Sequence, residues 1–174
     1  MTAELRDKIR EIPDFPQPGI LFYDITTILQ DAGALRQAID LMASRFVDDR
    51  IDVVVAMESR GFIFGAPIAY LLHAGFVPIR KLSKLPWETI SREYQLEYGV
   101  NTLEIHRDAV RPGQRVLLVD DLLATGGTVA ASLELVQELG GVPVAVAVLV
   151  ELSALKGRER LATFGADVVS FLTY

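Results

Sequence analysis

Val116-Leu117-Leu118-Val119-Asp120-Asp121-Leu122-Leu123-Ala124-Thr125-Gly126-Gly127-Thr128 decides how the rest of the chain is read. Four apolar residues run straight into two acids. A loop of small residues follows, and Val129, Leu133 and Val136 then recur at helical spacing. The order predicts a buried strand, a charged strand tip, a loop and a helix N-terminus. At such a terminus several backbone N–H groups lack intrahelical partners, and the helix dipole adds partial positive charge. A dianionic phosphate suits both. In the Ala124-Thr125-Gly126-Gly127-Thr128 loop the glycines let the backbone approach a ligand closely, and the threonines add hydroxyl donors. No lysine follows the glycines, so this is not the lysine-bearing nucleotide loop, and it is read as a cradle for a monophosphate. Carboxylates repel phosphate. Asp120 and Asp121 therefore belong to a neighbouring subsite, as acceptors for vicinal hydroxyls or for the waters of a magnesium ion. A phosphate cradle beside two acids predicts a ribose 5-phosphate ligand.

The flanking sequence places this unit in a sheet. Asp52-Val53-Val54-Val55-Ala56-Met57 is a β-branched run that predicts a second fully buried strand. It ends at Glu58-Ser59-Arg60-Gly61, and a helical pattern follows from Phe62 to Leu72, stopped by Gly75. Phe76 to Ile79, Val142 to Val150 and Asp167 to Phe171 read as further strands. Leu35, Ile39, Met42 and Phe46 share a helical face, as do Leu5, Ile9 and Ile12 within a predicted helix over 3–12. Three prolines over 13–18 stiffen the connection to a short apolar run, Ile20-Leu21-Phe22-Tyr23. Strands alternating with helices predict an α/β fold, a parallel twisted sheet with helices on both faces. Ligands of such sheets bind beyond the carboxyl ends of the strands, where both the acid pair and the Arg-Gly tip fall. Residues 80–114 lack core-forming runs and mix charges with aromatics. Within them Tyr94-Gln95-Leu96-Glu97-Tyr98 alternates like a half-exposed strand.

The bulk composition narrows the functional classes. The chain has 174 residues, 51% apolar and 23% charged, an ordinary globular balance for one domain. Its net charge of −6 argues against a nucleic-acid binder held by a basic face. It contains no cysteine, which excludes disulfides, thiolate metal sites and a cysteine nucleophile. No segment has the length of a membrane span, and the charged N-terminal segment lacks the apolar core of a signal peptide. A cytoplasmic protein without a membrane partner is expected.

The acid-loop segment resembles the phosphoribosyl pyrophosphate (PRPP) signature of the type I phosphoribosyltransferases. Other pieces narrow the resemblance to the adenine phosphoribosyltransferases. They are Pro13-Asp14-Phe15-Pro16, Pro18-Gly19-Ile20-Leu21-Phe22, Glu58-Ser59-Arg60-Gly61-Phe62, Leu96-Glu97-Tyr98-Gly99 and Leu152-Ser153-Ala154-Leu155-Lys156-Gly157-Arg158. They run in order over nearly the whole chain. The resemblance implies the type I fold as a single domain over 1–174, with an N-terminal hood and base pocket over 1–33 and a flexible lid over 82–105. It implies the reaction of adenine with PRPP to give AMP and pyrophosphate. Mg²⁺ would be held mainly by PRPP, with no direct protein ligand assigned, and a homodimer is expected.

By the same resemblance Ala124 to Thr128 hold the 5-phosphate and Asp120 and Asp121 the ribose. Ser59, Arg60, Lys81 and Lys84 hold pyrophosphate, with Arg60 also catalytic. Leu21, Phe22 and Tyr23 bind adenine, Glu97 acts on the base as the catalytic carboxylate, and Tyr98 helps position the lid. Three departures stand out: Tyr23, where many relatives carry a basic residue; Thr27, where many carry proline; and Leu82-Ser83, where Pro-Gly often follows Arg-Lys. Two other functions stay open. One is the same chemistry on hypoxanthine, guanine or xanthine, against which the tail from Val168 to Tyr174 has no lysine to read a 6-oxo group. The other is a regulator that binds PRPP without catalysis.

Overall fold

The structure is a computed structural model, and it describes residues 2–96 and 99–174. The chain forms two compact units, Met1–Leu41 and Met42–Tyr174. In the first unit, α1 (Thr2–Lys8) is followed by β1 (Arg10–Pro13), β2 (Leu21–Asp24) and α2 (Thr26–Leu29); α3 (Ala32–Ser44) leads into the second unit. The helix expected over 3–12 stops early. Leu5 and Ile9 are buried, but Ile12 belongs to β1 and pairs antiparallel with Phe22 of β2. A partner distant in sequence overrides the local period here. Asp24 accepts from the Thr26 N–H at 2.9 Å and from its hydroxyl at 2.8 Å, which fixes the turn into α2.

The second unit contains β3 (Val53–Met57), α4 (Gly61–Leu71), β4 (Gly75–Lys81), β5 (Thr89–Leu96), β6 (Gly99–His106), β7 (Arg115–Leu123), α5 (Gly127–Glu138), β8 (Val142–Glu151), α6 (Gly157–Leu161) and β9 (Asp167–Thr173). Seven strands form one sheet in the order β5-β6-β4-β3-β7-β8-β9. The run from β4 to β9 is parallel, whereas β6 is antiparallel to β4 and to β5. The sheet is therefore mixed, mostly parallel. Residues 80–114, which show no core run in the sequence, hold an antiparallel hairpin added at one edge. Ile90, Leu103 and Ile105 alternate into the core from it, while Ser91 and Glu93 on the other face are exposed and Glu104 there is buried. Gly75 does not stop α4. His73, at φ +54°, takes the left-handed turn, and Gly75 opens β4.

Alternation sorts the central strands between two layers. Val53, Val55, Met57, Val116, Leu118, Val146 and Val148 join one buried cluster with Val129, Leu133 and Val136 of α5. Ala56 points the other way and meets α4, where a Cβ on Gly65 would lie 2.6 Å from the Ala56 Cβ. From β3 the chain crosses by α4 to β4, and from β7 it crosses by α5 to β8 on the opposite side. Crossovers of one hand that run in opposite directions place their helices on opposite faces. The loops after β3 and β7 consequently diverge and leave a crevice between them. Among the described residues no helix is long and apolar enough to cross a membrane.

Candidate active site

That crevice is a cavity of about 440 Å³ lined by Glu58, Ser59, Arg60 and Lys81 on one side and by Asp120 through Val129 on the other. β7 extends through the acids to Leu123, because Asp120, Leu122 and Leu123 continue the ladder with β8. The acids are thus set on a central strand rather than on a loose tip. Gly126 caps α5 at φ +78°, a conformation that costs most side chains about 1–2 kcal/mol and glycine almost nothing. It turns Gly127 and Thr128 into the first turn of α5, whose unpaired N–H groups face the cavity end of the helix. The α4 side is just as close. The Glu58–Ser59 peptide is cis, and Arg60 is the N-terminal cap of α4. A Cβ on Gly61 would lie 2.9 Å from Asp120 Oδ1 and 3.0 Å from the Val119 carbonyl oxygen. Only glycine lets the two loops come together there.

Charge is arranged in pairs. Arg60 Nε lies 2.7 Å from Asp121 Oδ2. Burial pushes the Asp120 carboxyl well above the usual carboxylate range, and the charge of Asp121 adds to that. Burial also raises Asp121, while the Arg60 guanidinium opposes the shift. Asp120 Oδ1 accepts from the Asp121 N–H at 2.9 Å. Glu58 is held the other way. Its carboxylate takes a fork from Arg80, with both N–H···O distances 3.1 Å, and this hydrogen-bonded cation keeps it below the usual range. Glu58 also accepts from the Lys81 N–H at 3.2 Å, so it fixes the backbone that carries Lys81.

The structure therefore brings Ser59, Arg60, Lys81, Asp120, Asp121 and Ala124 to Thr128 to one cavity. Lys84 does not line it. Its N–H and that of Leu85 are taken by buried Glu104, at 2.8 and 2.9 Å, and its carbonyl accepts from Arg80 at 3.1 Å. Leu21, Phe22 and Tyr23 lie on β2 of the first unit. Leu21 is exposed, and Phe22 meets Phe15 edge-on with ring centroids 5.1 Å apart. Glu97 and Tyr98 lie outside the described residues. The inner part of the β5–β6 hairpin is anchored to the sheet and to α5. Ile90, Leu103 and Ile105 are buried, and Arg92 pairs with Glu134 at 3.1 Å and with Glu138 on α5. Sequence reading missed Tyr94, Leu103, Leu122 and Leu123 as cavity walls and Glu58 as the partner of Arg80. Alternation in β5 is the signal that could have singled out Tyr94. The Glu58–Arg80 pair leaves no local signal.

The chain matches the phosphoribosyl transferase domain over residues 24–169. It is 59% identical over 164 residues to an adenine phosphoribosyltransferase of Roseiflexus castenholzii, covering 94% of this chain and 95% of that one. The chain belongs to the adenine phosphoribosyltransferase family. The solved structures agree. A crystal structure of adenine phosphoribosyltransferase from Thermoanaerobacter pseudethanolicus superposes with a TM-score of 0.95 at 52% identity over all of both chains. One from Giardia lamblia, complexed with 9-deazaadenine, gives 0.94 at 37% identity, covering 99% of this chain and 97% of that one. The mixed sheet with its edge hairpin is thus the fold of the family, and the acid pair and the Ala124–Thr128 loop lie inside the matched span.

Proposed function

We propose that the chain transfers the 5-phosphoribosyl group of PRPP to adenine, forming AMP and releasing pyrophosphate. The observation that carries this is the meeting of a helix N-terminus, two acids and an arginine loop in one cavity of an adenine phosphoribosyltransferase family member. In this reading the N–H groups and hydroxyls of Ala124 to Thr128 hold the 5-phosphate. Asp120 and Asp121 accept from the ribose hydroxyls. Ser59, Arg60 and Lys81 receive the pyrophosphate, with Lys84 reaching in only if its side chain turns toward the cavity. Arg60 is the group that changes partner. It neutralises Asp121 in the free site and is close enough to take up charge on the departing pyrophosphate.

Transfer breaks the anomeric carbon–oxygen bond to pyrophosphate and makes a bond to a ring nitrogen of adenine, through an oxocarbenium-like state. The other imidazole nitrogen gives up its proton. Glu97 is the carboxylate assigned to accept that proton, from the Leu96-Glu97-Tyr98-Gly99 segment, and Tyr98 to help position the lid. Leu21, Phe22 and Tyr23 are assigned to adenine, whose flat uncharged ring suits apolar and aromatic contacts. In this reading residues 82–105 act as a lid over PRPP and exclude water that would hydrolyse the substrate.

Magnesium fits this donor set as a substrate-borne ion. Among the described residues no group of three or more acids or histidines is placed to hold a metal. Asp120, Asp121 and Glu58 are the acids lining the cavity; Asp121 is engaged by Arg60 and Glu58 by Arg80. An ion here would take most of its oxygens from PRPP and water, and when bound it would neutralise pyrophosphate charge. We read the assembly as a homodimer. The sequence of α4 is apolar all round, yet Ile63, Tyr70 and Leu71 are exposed, Tyr70 by 81%. A helix of that kind belongs in an interior, and a second copy supplies one. A multiply charged substrate does not cross a bilayer unaided, which supports work in the cytoplasm where PRPP is at hand.

A PRPP-dependent assay on adenine, hypoxanthine, guanine and xanthine tests the reading. AMP from adenine is expected. Turnover of a 6-oxopurine without AMP overturns the specificity, and PRPP binding with no turnover of any base favours a regulator. Glu97→Ala is expected to lower kcat and leave PRPP binding nearly intact; unchanged kcat removes Glu97 from catalysis.

A further inference from the structure

The segment from Leu152 to Arg158 has no part in these roles, yet it packs against the cradle. Gly157 is buried at the start of α6. A Cβ there would lie 2.2 Å from the Ala124 carbonyl oxygen and 3.0 Å from Leu123 Cγ and Cδ1. From the other side, a Cβ on Gly126 would lie 2.9 Å from the Gly157 carbonyl oxygen. The loop and the start of α6 thus touch backbone to backbone. Ala124 to Gly126 have no room to shift unless Gly157 gives way.

The next residue holds Gly157 in place. Arg158 Nε donates to Glu151 Oε1 at 3.0 Å, and Nη2 donates to Oε2 at 2.6 Å. The same guanidinium donates to the Val168 carbonyl and, at 3.1 Å, to Ser170 Oγ, whose hydroxyl in turn donates to Glu151. Glu151 is buried at the end of β8, in register with Leu123 of β7, and the Leu152 N–H donates to the Leu123 carbonyl at 2.9 Å. A planar fork onto a buried carboxylate fixes direction as well as distance. Its anchor sits at the level of the sheet from which the cradle springs. Arg158 is not among the residues lining the cavity, so whatever it does to the ligand passes through Gly157.

We propose that Arg158, clamped by Glu151 and Ser170, is a positioning residue for the phosphate cradle: it presses the Gly157 backbone against Ala124 to Gly126 and fixes the loop in the shape that receives the 5-phosphate. This rests on the reading of Ala124 to Thr128 as that cradle. The hydrogen-bonded Arg158 also keeps the Glu151 carboxyl below its usual range, so the clamp stays charged at neutral pH.

The test compares ribose 5-phosphate, AMP and pyrophosphate binding by calorimetry in the wild type, Arg158→Lys, Glu151→Gln and Gly157→Ala, with thermal melts and steady-state kinetics. Arg158→Lys keeps the charge and loses the fork. Its affinity for ribose 5-phosphate and AMP is expected to fall about tenfold, with pyrophosphate affinity changed less than about twofold. KM for PRPP rises more than kcat falls. Gly157→Ala, which wedges the loop directly, gives the larger effect. Equal losses for all three ligands, or no loss in folded variants, overturn the proposal. If these variants do not fold, Ser170→Ala decides, because it trims the clamp and leaves the fork: a weaker loss confined to ribose 5-phosphate and AMP supports the proposal, and none refutes it. Failure of the wild type to bind ribose 5-phosphate sinks the reading of the cradle itself, whereas equal binding by wild type and variants sinks only the clamp.

Discussion

Replacing Asp120 by asparagine should stabilise the free protein at neutral pH and weaken its hold on a ribose phosphate. Burial and the neighbouring Asp121 both act against an ionised Asp120. Asparagine has the same shape, and its carbonyl keeps the 2.9 Å bond from the Asp121 N–H, so the backbone has no reason to move. Only the charge is lost. Two like charges about 4 Å apart repel by roughly 4 kcal/mol at an effective dielectric of 20. Arg60, 2.7 Å from Asp121, and the solvent that reaches the cavity cancel most of this. About 1 kcal/mol of relief remains as a working figure. For a chain of 174 residues that is a rise of about 2–4 °C in Tm.

The pH dependence provides the sign. The Asp120 carboxyl has a folded pKa above its unfolded value. The folded chain therefore binds that proton more readily, and ionisation costs stability at pH above the folded pKa. The cost disappears as pH falls through that value. The advantage of Asp120→Asn should be present at neutral pH and shrink on acidification. Thermal unfolding of both proteins at neutral and mildly acidic pH measures this, with an AMP titration on the same samples. Loss of a charged acceptor for a ribose hydroxyl is worth about 1.5–3 kcal/mol, a loss of about tenfold or more in AMP affinity. A variant less stable than the wild type at neutral pH, or an advantage independent of pH, refutes the charge argument. Unchanged AMP affinity removes Asp120 from the ribose subsite.

Gly61→Ala should raise KM for PRPP and lower kcat in steady-state assays, because its Cβ would displace the Asp120 carboxylate and press on the Val119 carbonyl, whose backbone the sheet holds. Leu118→Ala empties a fully buried position in β7 and should cost about 2–5 kcal/mol in urea unfolding, with KM values near those of the wild type. Arg80→Met strips Glu58 of its fork and leaves an uncompensated carboxylate at the pyrophosphate end, so inhibition by pyrophosphate should weaken. Arg80 depresses the Glu58 pKa; its contribution to stability is present above the unfolded value and lost as pH falls through the folded one. The stability gap between wild type and Arg80→Met should accordingly narrow on acidification in melts over that range.

The strand, acid pair, loop and helix over 116–138 were legible because each signal is local: an apolar run, a glycine pair, a helical period. Their meaning needed no partner. What the sequence concealed depends on neighbours far along the chain. Ile12 continues the period of Leu5 and Ile9, yet pairing with Phe22 puts it in a strand. The hairpin of β5 and β6 shows only every second residue to the core, so Ile90, Leu103 and Ile105 never form a run. Glu58 with Arg80, and Glu104 with the backbone at Lys84 and Leu85, are 19 or more residues apart. Gly157 was visible as part of a motif, but its contact with Ala124 exists only once β7 and β8 lie side by side.

The supports of the cradle also bear on how base choice can change. Gly61 joins the loop after β3 to the end of β7, and Gly157 joins the start of α6 to the loop after β7. The subsites proposed for phosphate and ribose are bracketed from both sides by contacts that admit no side chain. The residues proposed for the base, Leu21 to Tyr23, belong to β2 of the first unit and to neither of these contacts. On the proposed assignment, base preference varies without disturbing the hold on PRPP. Tyr23→Ala should then raise KM for adenine about tenfold, the loss of one aromatic contact, while KM for PRPP stays within about twofold. Initial rates with either substrate varied at saturation of the other measure both constants on one preparation. Parallel rises in the two KM values would show that β2 acts on the whole site rather than on the base, and the division between bracket and base pocket would fall.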